Sequence, residues 1–179
     1  MINVSIARRY ARALLAVSLE SGRADEILAE LENMASLLAH SLEARDFFQS
    51  PSFTREQRHR FLAKLSKTKS LSEPTISFLK LLVDRGRMEH IEHITRIYRD
   101  LADEAAGRAR AEVSSPSRLE PAAAKALAGA LSRITSKKIQ LEENVDENLI
   151  GGLVVKVGDR VFDGSLKTQL ERVRQTALS

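Results

Sequence analysis

Over the first hundred residues, apolar positions recur at helical spacing. In SIARRYARALLAVSLESG, Ile6, Tyr10, Ala13, Leu14 and Val17 form one stripe, and Gly22 ends the pattern. ADEILAELENMASLLAHSL repeats it with Ile27, Leu31, Met34 and Leu38. A short apolar piece at Phe47 and Phe48 is cut off by Ser50-Pro51-Ser52. Thr54 with Gln57 three residues on is a capping box, opening a helix that carries Phe61, Leu62 and Leu65. Ser72 and Pro74 open another, apolar round most of its circumference (Ile76, Phe78, Leu79, Leu81, Leu82, Val83) and ended by Gly86. A last helix runs from about Met88 to Ala106 through Ile91, Ile94, Tyr98 and Leu101. The pattern predicts about six helices with short connections, in a compact antiparallel bundle.

The period then changes. Ala109, Ala111 and Val113 alternate in RARAEVSS, which predicts a strand. Pro121 opens an Ala-rich helix with Leu127, Leu131 and Ile134, and KKIQLEE predicts a second strand. LVVKVGDRVFD reads as two strands joined at Gly158-Asp159 in a hairpin. Ser165 caps a closing helix with Leu166, Leu170, Val173 and Ala177 on one face. The expected fold class is α+β. A six-helix bundle over residues 1–105 is followed, over 106–179, by a small α/β module with a β-hairpin and two helices.

Composition narrows the function. No cysteine is present, so disulfides, thiolate catalysis and Cys-ligated zinc drop out. No apolar run approaches the ~18 residues of a membrane span, and the two arginines near the N-terminus read as part of a mature helix rather than a leader. A net charge of +4 and a pI near 9.6 raise a nucleic-acid-binding module as an alternative. The basic residues read as scattered and aromatics are only 4%, which disfavours it.

Motifs for chemistry are missing. The sequence contains no Walker loop, dinucleotide fingerprint or nucleophile elbow, so no cofactor is expected. His90 and His93 lie near each other on a helix without an obvious third ligand, so no metal is expected. The stretch GGLVVKVGDRVFDGSLKTQLERV resembles a phosphate loop at first sight. It lacks the Lys and Ser/Thr of such cradles, and Asp159 with Asp163 are too few for a metal loop. As architecture it is coherent: Gly151, Gly152, Gly158, Asp159, Asp163, Gly164 and Ser165 read as turn and cap residues.

Those same residues carry a family resemblance. Ile150-Gly151-Gly152, Gly158-Asp159, Asp163-Gly164-Ser165 and Leu170-Glu171 resemble the C-terminal signature of the delta subunits of bacterial F-type ATP synthases, relatives of the mitochondrial oligomycin-sensitivity-conferring protein. Phe162 stands where isoleucine is usual. ARRYARAL (Ala7 to Leu14) and DRGR (Asp84 to Arg87) resemble the family's opening and the corner between its last two N-domain helices. The resemblance implies a non-enzymatic stator connector. The helical part would bind N-terminal helices of the alpha subunits, one in a groove between the first and fifth helices. Ala7, Tyr10, Ala11, Leu14, Leu79, Leu82 and Val83 are the candidates. The α/β part would meet the C-terminal ends of the b-type stalk subunits, with Val154, Val161, Leu166, Leu170 and Val173 as candidates. It further implies a peripheral place at the cytoplasmic face of the bacterial inner membrane, reached through the complex, in proton-driven ATP synthesis.

Overall fold

A computed structural model describes residues 4–69, 71–158 and 160–177. The chain divides into two compact units, Met1–Ala102 and Asp103–Ser179.

The first unit is built from α1 (Val4–Glu20), α2 (Ala24–His40), α3 (Leu42–Gln49), α4 (Arg55–Lys69), α5 (Glu73–Asp84) and most of α6 (Ile91–Ala105). A single 3-10 turn, Met88–His90, precedes α6, so this helix starts three residues later than its apolar pattern suggests. The bundle is therefore six α-helices plus this turn rather than six helices alone. The capping box forms: Thr54 N–H donates to Gln57 Oε1 at 2.7 Å, and Gln57 N–H to Thr54 Oγ1 at 3.3 Å. Phe47, Phe48 and Phe61 pack with ring centroids 5.2–5.8 Å apart and tie α3 to α4.

The buried face of α1 differs from the predicted stripe. Ala7, Ala11, Leu14 and Ser18 face the core, while Val17 is 49% exposed. A reading weighted by side-chain size follows Ile6, Tyr10 and Val17. The packed face instead uses small residues, and beneath it the Tyr98 ring is 0% exposed. The Tyr98 hydroxyl donates to Ser18 Oγ at 2.7 Å, with the Ala24 carbonyl oxygen 3.2 Å away as a second acceptor. The Ser18 hydroxyl in turn donates to the Leu15 carbonyl oxygen at 2.8 Å. Burial pushes the Tyr98 phenol up from its ordinary value, and the Ser18 hydrogen bond offsets only part of that shift. An unfolded tyrosine ionises first, so this contribution to stability is complete below about pH 10 and is lost as pH rises beyond it. Tyr98→Phe is expected to cost about 1 kcal/mol at neutral pH and to flatten the alkaline fall, read by urea titration between pH 7 and 11.

The second unit is a four-stranded sheet in the order β2-β1-β3-β4. Its strands are β1 (Arg108–Ser115), β2 (Lys138–Val145), β3 (Val154–Val157) and β4 (Arg160–Asp163); α7 (Pro121–Thr135) joins β1 to the parallel β2, and α8 (Leu166–Ala177) follows β4. β3 runs antiparallel to both β1 and β4. One face buries Ala111, Val113, Val155 and Val157 against Leu131. The unit boundary falls at Ala102/Asp103, just before residue 105, and a hydrogen-bond network explains it. The carboxylate of Asp103, 5% exposed, accepts from Arg108 Nε at 3.1 Å and Arg110 Nε at 2.5 Å. Arg110 also donates to Glu142 on β2 at 2.7 Å. Burial works against the Arg110 charge, but Asp103 and Glu142 more than compensate and hold its pKa above the ordinary value.

Candidate docking surfaces

The α1 and α5 helices are neighbours in the first unit. Of the seven groove candidates, Ala7, Ala11, Leu14, Leu79, Leu82 and Val83 are 0–4% exposed. They form the wall shared by the helices and belong to the core. Tyr10 is half-buried, its ring edge-on to Phe78 with centroids 6.2 Å apart. The apolar side chains within reach of a partner are others. Ala13 and Val17 follow Tyr10 on the same face of α1, and Leu81 on α5 is 41% exposed. Leu81 belongs to the apolar run of its helix but not to the groove candidates, because the all-round apolarity of that helix hides which side faces out.

The C-terminal stretch is a crossing of two loops. Gly164 N–H donates to the Leu153 carbonyl and Leu166 N–H to the Gly151 carbonyl, each at 2.9 Å. Gly152 has φ +80, and a Cβ there would lie 2.3 Å from the Gly164 carbonyl oxygen. A Cβ on Gly151 would meet only the Leu166 side chain, at 2.5 Å. Gly158 turns the hairpin at φ +58; Asp159 lies outside the described residues. The Asp163 carboxylate accepts from Ser165 N–H at 2.9 Å and from the Thr168 hydroxyl at 2.8 Å, and Thr168 N–H donates to Ser165 Oγ at 3.3 Å. Asp163 and Ser165 thus cap α8, leaving this carboxylate spoken for.

Around this crossing lie exposed apolar side chains. Val161 is 60% exposed, Leu166 43% and Leu170 67%, the last two one helical turn apart on α8. Val154 is half-buried, and the side chain of Val173 lies outside the described residues. Sequence reasoning passed over Ile150 (82% exposed) and Phe162 (38%), which add apolar surface on either side of the crossing. Both sit inside the motif and were read only as members of its pattern.

For chemistry the geometry offers little. Among the described residues, no group of three or more His, Cys, Asp and Glu side chains could hold a metal ion. His90 Nε2 is 3.4 Å from Glu89 Oε1, its neighbour in sequence.

Comparison with known proteins decides between these readings. The family described as "ATP synthase delta (OSCP) subunit" matches residues 6–177. The chain belongs to that family. It is 41% identical over 177 residues to ATP synthase subunit delta of Myxococcus xanthus strain DK1622, covering 98% of this chain and 97% of the relative. The delta subunit of Geobacter metallireducens is 39% identical over 174 residues, with 97% of each chain covered. A chain of the Toxoplasma gondii mitochondrial ATP synthase hexamer shares the fold, with TM-score 0.69, 20% identity and 97% of each chain covered. The delta family is the one that the C-terminal signature pointed to, and nothing in these likenesses supports a nucleic-acid-binding module.

Proposed function

We propose that this delta-family chain is the stator connector of an F-type ATP synthase, a structural subunit that ties the catalytic head to the peripheral stalk. One observation supports this most: a chain that matches the family over residues 6–177 divides into two compact units, each with its own core and its own exposed apolar surface. Rotary catalysis puts torque on the head, and a connector that resists it needs binding energy at two places and no reactive group. Apolar helix-in-groove contacts supply such energy.

On this reading an N-terminal helix of an alpha subunit lies along α1 and α5. Tyr10, Ala13, Val17 and Leu81 touch it, and Ala7, Ala11, Leu14, Leu79, Leu82 and Val83 form the wall beneath. The C-terminal ends of the b-type stalk subunits cover Val161, Leu166 and Leu170, with Val154 and Val173 alongside. Membrane association at the cytoplasmic face of the bacterial inner membrane comes through these partners. Among the described residues, no helix is long and apolar enough to cross a membrane.

The test uses the full chain, titrated with a peptide of the alpha-subunit N-terminus. Val17→Asp and Leu81→Asp are expected to weaken binding more than tenfold, about 1.4 kcal/mol, with an unchanged circular-dichroism spectrum. Leu82→Asp, at a fully buried position, is expected to unfold the bundle instead. Undiminished binding by both surface variants would remove the α1/α5 assignment.

A further inference from the structure

The net charge of the chain is not spread over its surface. Helix α4, REQRHRFLAKLSKTK, carries six basic residues and one acidic residue, an excess of five. The whole chain carries +4, so the rest is close to neutral. Within α4 these charges are sorted. Arg58 turns inward, donating to the Phe47 carbonyl at 3.1 Å and the Ser50 carbonyl at 2.6 Å. Phe61, Leu62 and Leu65 pack into the core. Arg60, Lys64 and Lys67 fall on the opposite side at i, i+4 and i+7, all exposed, over ~10 Å of helix. Among the described residues, the side chains of Arg55, Lys64 and Lys67 have no acidic partner. The stripe is held in place at one end, where His59 Nε2 and Asp84 Oδ1, 2.8 Å apart, join α4 to α5.

We infer that the Arg60/Lys64/Lys67 stripe is a second docking surface of the helical unit, and that its occupant is an acidic helix of a partner subunit with carboxylates at matching spacing. This rests on the connector reading, which places the chain among other subunits. Three observations select a protein helix. The outward side of α4 carries no Phe, Tyr or Trp on which a base could stack, and its one imidazole, His59, is held by Asp84. Glu56 and Asp84 lie beside Arg55 and Arg60 and end the positive surface there, so the stripe spans about two helical turns, short for an extended phosphate track and matched in length by a partner helix. The apolar side of α4 is buried in the bundle, so nothing remains to insert into a bilayer.

The experiment compares three full-length proteins, wild type, R60E/K64E/K67E and V17D, against the catalytic head and b-type stalk of the same complex, stripped of this chain. Circular dichroism checks that each variant is folded. The charge-reversed protein is expected to bind the head or the stalk at least tenfold more weakly at 50 mM salt, and the difference is expected to shrink as salt rises to 300 mM. V17D is expected to lose affinity without a change in salt dependence. If the triple variant binds like wild type, the stripe is only solvated and the proposal falls while the connector reading stands. Failure of wild type to bind head and stalk overturns both. Duplex DNA and phosphatidylserine vesicles are run beside them. Tight binding there that the triple variant alone loses, with assembly intact, assigns the stripe to another class of partner and overturns the proposal.

Discussion

Gly152→Ala is expected to unfold the C-terminal module while the helical unit stays folded. Two costs add at this position. The backbone sits at φ +80, a conformation that any residue with a Cβ resists. The new methyl would also press into the Gly164 carbonyl oxygen and lie 2.9 Å from the Ser165 Cα, and neither can move without breaking the crossing. Together they amount to about 3 kcal/mol or more, a large share of what a small module has to spare. Hydrogen exchange by mass spectrometry should show β3, β4 and α8 losing protection, with α1 to α5 unchanged. Two other glycines grade the effect. Gly151→Ala meets only a flexible leucine tip and should be milder. Gly129→Ala, inside α7 with nothing within 4 Å, should be neutral or slightly stabilising. Equal behaviour of all three would show that the loop crossing does not hold the module together.

The second large effect is expected at Glu30. Its carboxylate is 8% exposed and accepts from the Ser72 N–H and hydroxyl, each at 2.6 Å, and from the Thr75 hydroxyl. Ser72 stands at the N-cap of α5, yet its side chain makes no cap bond there because it turns to Glu30. The positive end of α5 is thus served by a carboxylate from α2. Glu30→Ala leaves a buried N–H and two hydroxyls without their acceptor, and the expected loss is about 3–5 kcal/mol by urea denaturation. Glu30→Gln, which keeps one acceptor oxygen, should fall between that variant and wild type. Because α5 is one side of the proposed alpha-subunit groove, Glu30→Ala should also weaken the alpha peptide without touching it. A loss below 1 kcal/mol would mean that water replaces the carboxylate at no cost.

Much of this was readable from residue order. The capping box at Thr54, the hairpin at Gly158 and the cap at Ser165 depend on neighbours a few residues apart, and such local rules survive without knowledge of the fold. What escaped depends on distance through the chain. Glu30 and Ser72 are 42 residues apart, and nothing in ADEILAELENMASLL distinguishes Glu30 from the exposed Glu26 or the half-buried Glu32. Six of the seven groove candidates lie in the buried wall for a related reason. Apolar spacing locates a face of α1 but not the neighbour it packs on, so the core wall and the accessible edge could not be separated. The basic residues read as scattered because a linear view spreads α4 over fifteen positions. Folding gathers three of them on one side.

The sheet order also bears on how the protein is made. β1 is a central strand, paired on one side with β2 and on the other with β3. Both partners follow it in the chain, β3 by about forty residues. As the polypeptide leaves the ribosome, the helical unit has all its elements once α6 has emerged. β1, by contrast, waits a few seconds with both edges open, at a synthesis rate of roughly 5–20 residues per second. During that interval it carries Arg108, Arg110 and Glu112, alternating with Ala111 and Val113. Charged residues on an open strand discourage pairing with other nascent chains. Arg108 and Arg110, which hold Asp103 in the folded module, are therefore also among the charges that β1 presents while its edges are open.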